Sequence, residues 1–91
     1  LATLQQAYQY GRQLINQKRT KEAMALFQDL AKKYPNVFMS NMGLMRAYSA
    51  MGDYKTAADW GKKALALAPD ANNKANVERL LGLLGQGKDV N

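Results

Sequence analysis

Arg12 and Arg46 are the side chains of this sequence best suited to recognising a ligand. They stand 34 residues apart, and each follows a bulky apolar residue four positions earlier, Tyr8 and Met42. A guanidinium binds a carboxylate through two parallel hydrogen bonds, and the flexible thioether of methionine adapts to partners of different shape. With Met39 added, the set would suit a polypeptide segment that carries acidic and apolar side chains.

The side chains on which most enzymes depend are scarce. The sequence has no His and no Cys, so imidazole acid–base chemistry, thiol chemistry and the commonest metal ligands are missing. Its seven Asp and Glu residues show no metal-ligand spacing, and no glycine-rich phosphate loop is present. We therefore expect a protein that is not an enzyme and that uses no metal and no cofactor.

Thirteen Lys and Arg residues give the chain a net charge of +6, which favours acidic partners. Nucleic-acid binding needs such charge on one face with aromatic side chains between the cations. The basic clusters at 18–21, 32–33 and 62–63 lie instead at a turn or late in predicted helices, where lysines are common partners of the helix dipole. We expect a protein or peptide partner rather than a nucleic acid. No apolar run approaches the ~20 residues that a membrane span needs.

The elements that would position these side chains are helices. Apolar residues recur at intervals of three and four, and no segment alternates like a strand, so the sequence predicts an all-α fold with helices over about 3–17, 20–34, 37–51, 54–67 and 72–85. The predicted apolar faces are Ala7, Tyr10, Gly11, Leu14; Ala23, Phe27, Leu30, Tyr34; Leu44, Met45, Tyr48, Met51; Ala57, Gly61, Ala64, Leu65, Ala68; and Val77, Leu80, Leu81, Leu84.

The breaks between the helices have local causes. Pro35 and Pro69 cannot continue a helix. Gly52 can adopt positive φ after the third helix, and Asp53 can cap the fourth. The final segment, GQGKDVN, has two glycines and no apolar face. It predicts a flexible tail over residues 86–91.

The helices form an internal repeat of 34 residues. This shift superposes Pro35 on Pro69, Ala23 on Ala57 and Arg12 on Arg46, and 34 is the period of the tetratricopeptide repeat. The residues that carry the resemblance are Tyr10, Gly11, Leu14, Ala23, Phe27 and Pro35 in the first repeat and Leu44, Tyr48, Gly52, Tyr54, Ala57, Ala64, Leu65 and Pro69 in the second.

The chain therefore resembles the tetratricopeptide repeat (TPR) family, over about residues 4–71. The resemblance implies one α-solenoid domain: repeat one over about 4–37, repeat two over about 38–71, and a capping helix over about 72–85. Met45 departs from the family pattern because a small glycine is usual there, and Gly61 departs because an aromatic is usual. Either the ring of Trp60 fills the space at Gly61 or the next helix comes in close.

The second half has a further resemblance. The stretch GDYKTAADWGKKALALAPDANNKANVERLLGLLGQGKDVN is similar to the C-terminal TPR tail of bacterial exported proteins of unknown function. It implies an appendage of an envelope protein, in the periplasm or envelope, while a cytoplasmic location stays open.

The first helix of each stacked pair lines the concave face, where this family usually binds peptides. The outward stripes there are Gln5, Tyr8, Gln9, Arg12 and Asn16 on the first helix and Met39, Met42, Arg46 and Ser49 on the third. The resemblance thus implies a non-catalytic interaction module, and we predict that its partner-binding residues are Tyr8, Arg12, Met39, Met42 and Arg46.

Two alternatives remain at this point. In the first, Met39 and Met42 pack against the capping helix or another domain, and the arginines are ordinary surface residues. The second concerns self-association. The last helix carries Leu80, Leu81, Leu83 and Leu84, an apolar surface wider than one stripe requires. Part of it would then meet a second copy, giving a homodimer, or another domain of the parent protein.

Overall fold

The computed structural model describes residues 3–91, and this part of the chain contains five helices and no strand. The helices are α1 (Leu4–Asn16), α2 (Thr20–Lys33), α3 (Phe38–Ala50), α4 (Tyr54–Ala66) and α5 (Ala71–Gly85). Each lies within a residue or two of its predicted position. The all-α prediction is confirmed, and the architecture is that of a helical-repeat fragment: the pairs α1/α2 and α3/α4, followed by α5.

The connection after α3 has the predicted chemistry. Gly52 has φ of +84°, and the Asp53 carboxylate accepts a hydrogen bond from the main-chain N–H of Thr56 at 3.2 Å. Lys18 occupies the equivalent position after α1 and adopts φ of +64° without being a glycine. Gly87 makes the same left-handed turn after α5, with φ of +72°. The ends of α1, α3 and α5 therefore reverse the chain in one common way.

Helix α3 is the centre of the fold, because it packs against α1, α2 and α4. Every residue from Ser40 to Ala47 is buried. Two polar residues at the start of this run bind to main chain. The Ser40 hydroxyl donates to the carbonyl of Tyr34, and the Asn41 amide donates to the carbonyls of Pro35 and Val37. The Asn41 Oδ1 atom is buried and accepts no hydrogen bond. These hydrogen bonds hold the connection from α2 to α3 against the first turn of α3.

Three residues of the predicted apolar faces are exposed: Tyr10 (51%), Tyr34 (47%) and Met51 (56%). The prediction that they face the core is wrong for all three. Two of them fall outside the regular helix. Tyr34 follows the last residue of α2 and Met51 follows that of α3, where the chain has begun to turn. Tyr10 lies within α1, on a part of its surface that no other helix covers.

In each helix pair, a large side chain of one helix meets a glycine of the other helix. The Phe27 ring of α2 lies so close to Gly11 and Gly43 that a Cβ at either glycine would overlap it. In the second pair the large residue, Met45, lies on the first helix and the glycine, Gly61, on the second. A Cβ at Gly61 would lie 3.0 Å from the Met45 sulfur and 2.7 Å from Leu81 Cδ2 of α5. The space at Gly61 is therefore filled by the next helix, together with Met45.

Trp60 lies next to Gly61 in the chain and faces a cleft. It is half-buried and borders an open cleft with Leu44 and Tyr48, and the Lys63 ammonium lies 4.6 Å from its ring centroid. No helix of the described residues 3–91 is long and apolar enough to cross a membrane.

We expect Gly43→Ala to lower the free energy of unfolding by about 1–3 kcal/mol, because the new methyl must displace a fully buried aromatic ring. Gly82→Ala in α5 is the matched control, since nothing lies within 4 Å of a Cβ there. It should raise the free energy of unfolding by about 0.5–1 kcal/mol through its better helix propensity. Urea unfolding followed by circular dichroism measures both. Equal effects of the two changes would contradict the packing at Phe27.

Candidate functional site

Arg46 is the centre of the candidate site, and its side chain is buried, with 6% exposed. The Nε–H donates to the hydroxyl of Tyr8 at 2.6 Å, and an Nη1–H donates to the carbonyl of Val90 at 3.0 Å. Within residues 3–91 no carboxylate lies within 4.0 Å of this guanidinium. A buried cation satisfied only by neutral oxygens leaves a positive potential, which favours negative charge nearby.

Tyr8 of α1 joins the two arginines. Its ring lies 6.0 Å from that of Phe27 at an interplanar angle of 52°, and the Arg12 guanidinium carbon lies 6.0 Å from the ring centroid. Its hydroxyl accepts the hydrogen bond from Arg46. Tyr8 is therefore fixed by packing on its ring and by a charged donor at its tip, with Arg12 at the edge of cation–π range.

The C-terminal segment, defined as Asp89, Val90 and Asn91, occupies this site. The Ser49 hydroxyl donates to the Asp89 carboxylate at 2.5 Å and accepts from the Val90 N–H at 3.0 Å. The Asn91 amide donates to the main-chain carbonyl of Arg46 at 2.8 Å. The Val90 side chain is buried, with 8% exposed.

The sequence predicts a flexible tail over residues 86–91, whereas the structure docks residues 89–91 and leaves residues 86–88 exposed. The segment has no apolar face, as the sequence indicates, but one aliphatic side chain and main-chain hydrogen bonds are enough to seat it on α3. One feature of the sequence pointed to the site: Ser49 lies on the same predicted stripe as Arg46. Nothing in the sequence identified Asp89, Val90 and Asn91 as its occupants, because the contacts join residues about 40 positions apart.

The structure brings together three of the five predicted binding residues, Tyr8, Arg12 and Arg46. Tyr8 and Met42 are buried, with 7% and 4% exposed, and Met39 is half-buried against the core. Tyr8 and Met42 therefore belong to the core, although the sequence predicts them on outward-facing stripes. Arg12 is half-buried and remains accessible at the border of the site.

Asp89 carries the negative charge of the occupied site. Burial raises the pKa of its carboxyl, but hydrogen bonds from the Ser49 hydroxyl and from the side chain and main chain of Asn91 outweigh this effect. The net result is a pKa below the ordinary value of 3.8. The docked segment therefore favours the ionised carboxylate.

Some of the basic clusters are partly neutralised by neighbouring acids. Arg19 forms a bidentate pair with Glu22, and the Lys33 ammonium lies 3.3 Å from Asp29. The hydrogen bond between Arg19 and Glu22 raises the pKa of Arg19 and lowers that of Glu22. Among residues 3–91, no group of three or more acidic side chains is arranged to hold a metal ion.

Comparisons with models of known protein families, with curated proteins and with solved structures find no match to this chain. Membership of the TPR family and the suggested bacterial envelope origin therefore stay predictions.

We expect Tyr8→Phe to lower the free energy of unfolding by about 1–2 kcal/mol, because it leaves the buried Arg46 Nε–H without an acceptor. Tyr10→Phe is the control. It removes the same hydroxyl from a half-exposed ring on the same helix and should change stability by less than about 0.5 kcal/mol. Thermal and urea unfolding compare the two variants. A Tyr8→Phe protein as stable as Tyr10→Phe would show that the Arg46 hydrogen bond contributes nothing.

We also expect acid to release the C-terminal segment. The pKa of Asp89 is lower when the segment is docked, so the released form binds protons more tightly. Docking is then fully favourable above the ordinary Asp89 pKa and is lost as the pH falls through and below it. Hydrogen exchange of the Val90 N–H, followed by NMR, measures this. In Asp89→Asn the protection should be weaker and should lose this pH dependence; unchanged pH dependence would assign it to another group.

Proposed function

We propose that this chain is a non-catalytic protein-interaction module of the TPR type, which binds an extended polypeptide segment on the face formed by α1 and α3. The observation that carries the proposal is the occupation of this face by residues 89–91, held through a main-chain carbonyl, a main-chain N–H and a carboxylate. Main-chain groups are common to all polypeptides, so a face that binds them suits a protein ligand.

The charge of the face supports an acidic ligand. Arg46 has no carboxylate partner within residues 3–91, and Arg12 lies beside the same tyrosine ring. The chain as a whole carries +6. Val90 shows that the face also accepts an aliphatic side chain. The ligand class is therefore a polypeptide segment that combines acidic and aliphatic residues.

The alternative function, self-association through α5, has less support. Leu80 and Leu84 are buried, Leu81 packs beside Gly61, and Leu83 is half-buried against the core. Within residues 3–91 the exposed large apolar side chains lie elsewhere, at Tyr10, Tyr34 and Met51. The leucines of α5 are used within the chain itself, which leaves little apolar surface for a dimer.

The proposal predicts that a fluorescein-labelled peptide alternating Asp with Val binds the chain and that Arg12→Glu weakens the binding about tenfold, because a like charge then faces the ligand. Fluorescence anisotropy measures the Kd. Lys62→Glu is the matched control, because it makes the same change of charge at an exposed position of α4. Its Kd should stay within about twofold of that of the original chain.

Equal weakening by both variants would mean attraction to net charge alone, and the proposal would fail. It would also fail if amide chemical shifts moved along α5 rather than at Arg46 and Ser49 when the peptide is added. Light scattering on the same samples tests the alternative, since a dimer that forms through α5 would grow with protein concentration and be insensitive to Arg12→Glu.

A further inference from the structure

We infer that the C-terminal segment is an intramolecular ligand of the Arg46 site, and that the partner which replaces it carries an Asp-aliphatic pair. The inference rests on the proposed function and specifies it further. It assigns the ligand chemistry residue by residue, and it gives residues 89–91 a regulatory role: they must leave before the partner binds.

The contacts define what the site recognises. Ser49 binds two consecutive residues at once, because its hydroxyl donates to the carboxylate of Asp89 and accepts from the N–H of Val90. Arg46 then binds the carbonyl of Val90, and the aliphatic side chain of that residue is buried. The site thus takes a carboxylate, a main-chain N–H, a main-chain carbonyl and an aliphatic side chain. A short acidic residue followed by an aliphatic residue supplies all four.

The segment is attached in a way that permits release. Gly87 has φ of +72°, and Gln86, Gly87 and Lys88 are exposed, so the C-terminal segment is joined to α5 through an exposed turn. Asp89 and Asn91 are also exposed, and Val90 is the one side chain of residues 86–91 that enters the core. The packing between helices α1 to α5 is made by other residues.

The short connection gives the segment an advantage over a partner. A ligand joined by a short flexible linker has an effective concentration on the order of millimolar. The apparent affinity for a partner falls by the fraction of molecules in which the site is open. A separate peptide of the same chemistry should therefore bind the intact chain more weakly than it binds a chain whose own segment is disabled.

The test uses a labelled peptide with the sequence of residues 87–91, Gly-Lys-Asp-Val-Asn, acetylated and amidated so that its ends carry no charge. Val90→Lys disables docking in the full chain, because it places a charged ammonium where the aliphatic side chain of Val90 is buried. Gln86→Lys is the control, since it adds the same charge at an exposed position before the turn. Fluorescence anisotropy gives the Kd of each protein.

We expect Val90→Lys to bind the peptide at least about tenfold more tightly than the original chain, and Gln86→Lys to bind like the original. Peptides with Asn in place of Asp, or Lys in place of Val, should lose most of this binding. Circular dichroism establishes that Val90→Lys is folded, and Asp89→Lys provides a second disabled variant if it is not.

Equal affinity of the original and disabled chains would overturn the inference, because the segment would then not compete for the site. So would a folded Val90→Lys protein that binds no peptide of this sequence, since the segment would then be a structural strap. If the Asp/Val peptide still binds in an Arg12-dependent manner, the proposed function survives either failure. A concentration-dependent dimer abolished by Val90→Lys would place the segment on a second copy and overturn the intramolecular form.

Discussion

The burial of Arg46 is the constraint around which the site is built. A guanidinium always carries its charge in a protein, so a position beneath other chain segments is tolerated only where oxygen atoms surround it. Tyr8 supplies one such oxygen from α1, and Val90 supplies another from the end of the chain. One side chain on the central helix thereby connects the first helix with the last residues. The same contacts determine where Tyr8 points and which main-chain atoms the C-terminal segment presents.

Helix α3 can hold such a residue because it has neighbours on three sides. A helix at the edge of the array would expose the same arginine to water, where its hydrogen bonds would contribute little. The approach of the neighbouring helices depends in turn on glycines. Gly43 and Gly11 admit the ring of Phe27, and Gly61 admits Met45 and Leu81. The first pair places its large residue on the second helix, and the second pair places it on the first. Each contact still joins one large and one small residue, so both pairs pack closely.

At the Arg46 site the helical array holds a segment that belongs to none of its helices. The close contacts between helices, such as those of Phe27 with Gly11 and Gly43, do not involve the C-terminal segment, which hydrogen-bonds to Arg46 and Ser49 of α3. Most of what the segment receives from α3 goes to its main chain and to one carboxylate. These groups are found on other polypeptides too, so the chemistry that seats the segment is the same chemistry that would admit a partner.

The sequence by itself determined the helices, their breaks and their pairing, because these depend on local patterns: apolar spacing, Pro35 and Pro69, and the turn at Gly52 and Asp53. It also placed Arg12, Arg46 and Ser49 on stripes that the structure brings to one face. Only the tertiary structure decided that Tyr8 and Met42 are buried, that Leu81 and Met45 fill the space at Gly61, and that residues 89–91 are docked. Each of these depends on contacts between distant parts of the chain. A single aliphatic residue in a glycine-containing tail has no periodicity, so its burial is visible only once the chain is folded and the segment lies against α3.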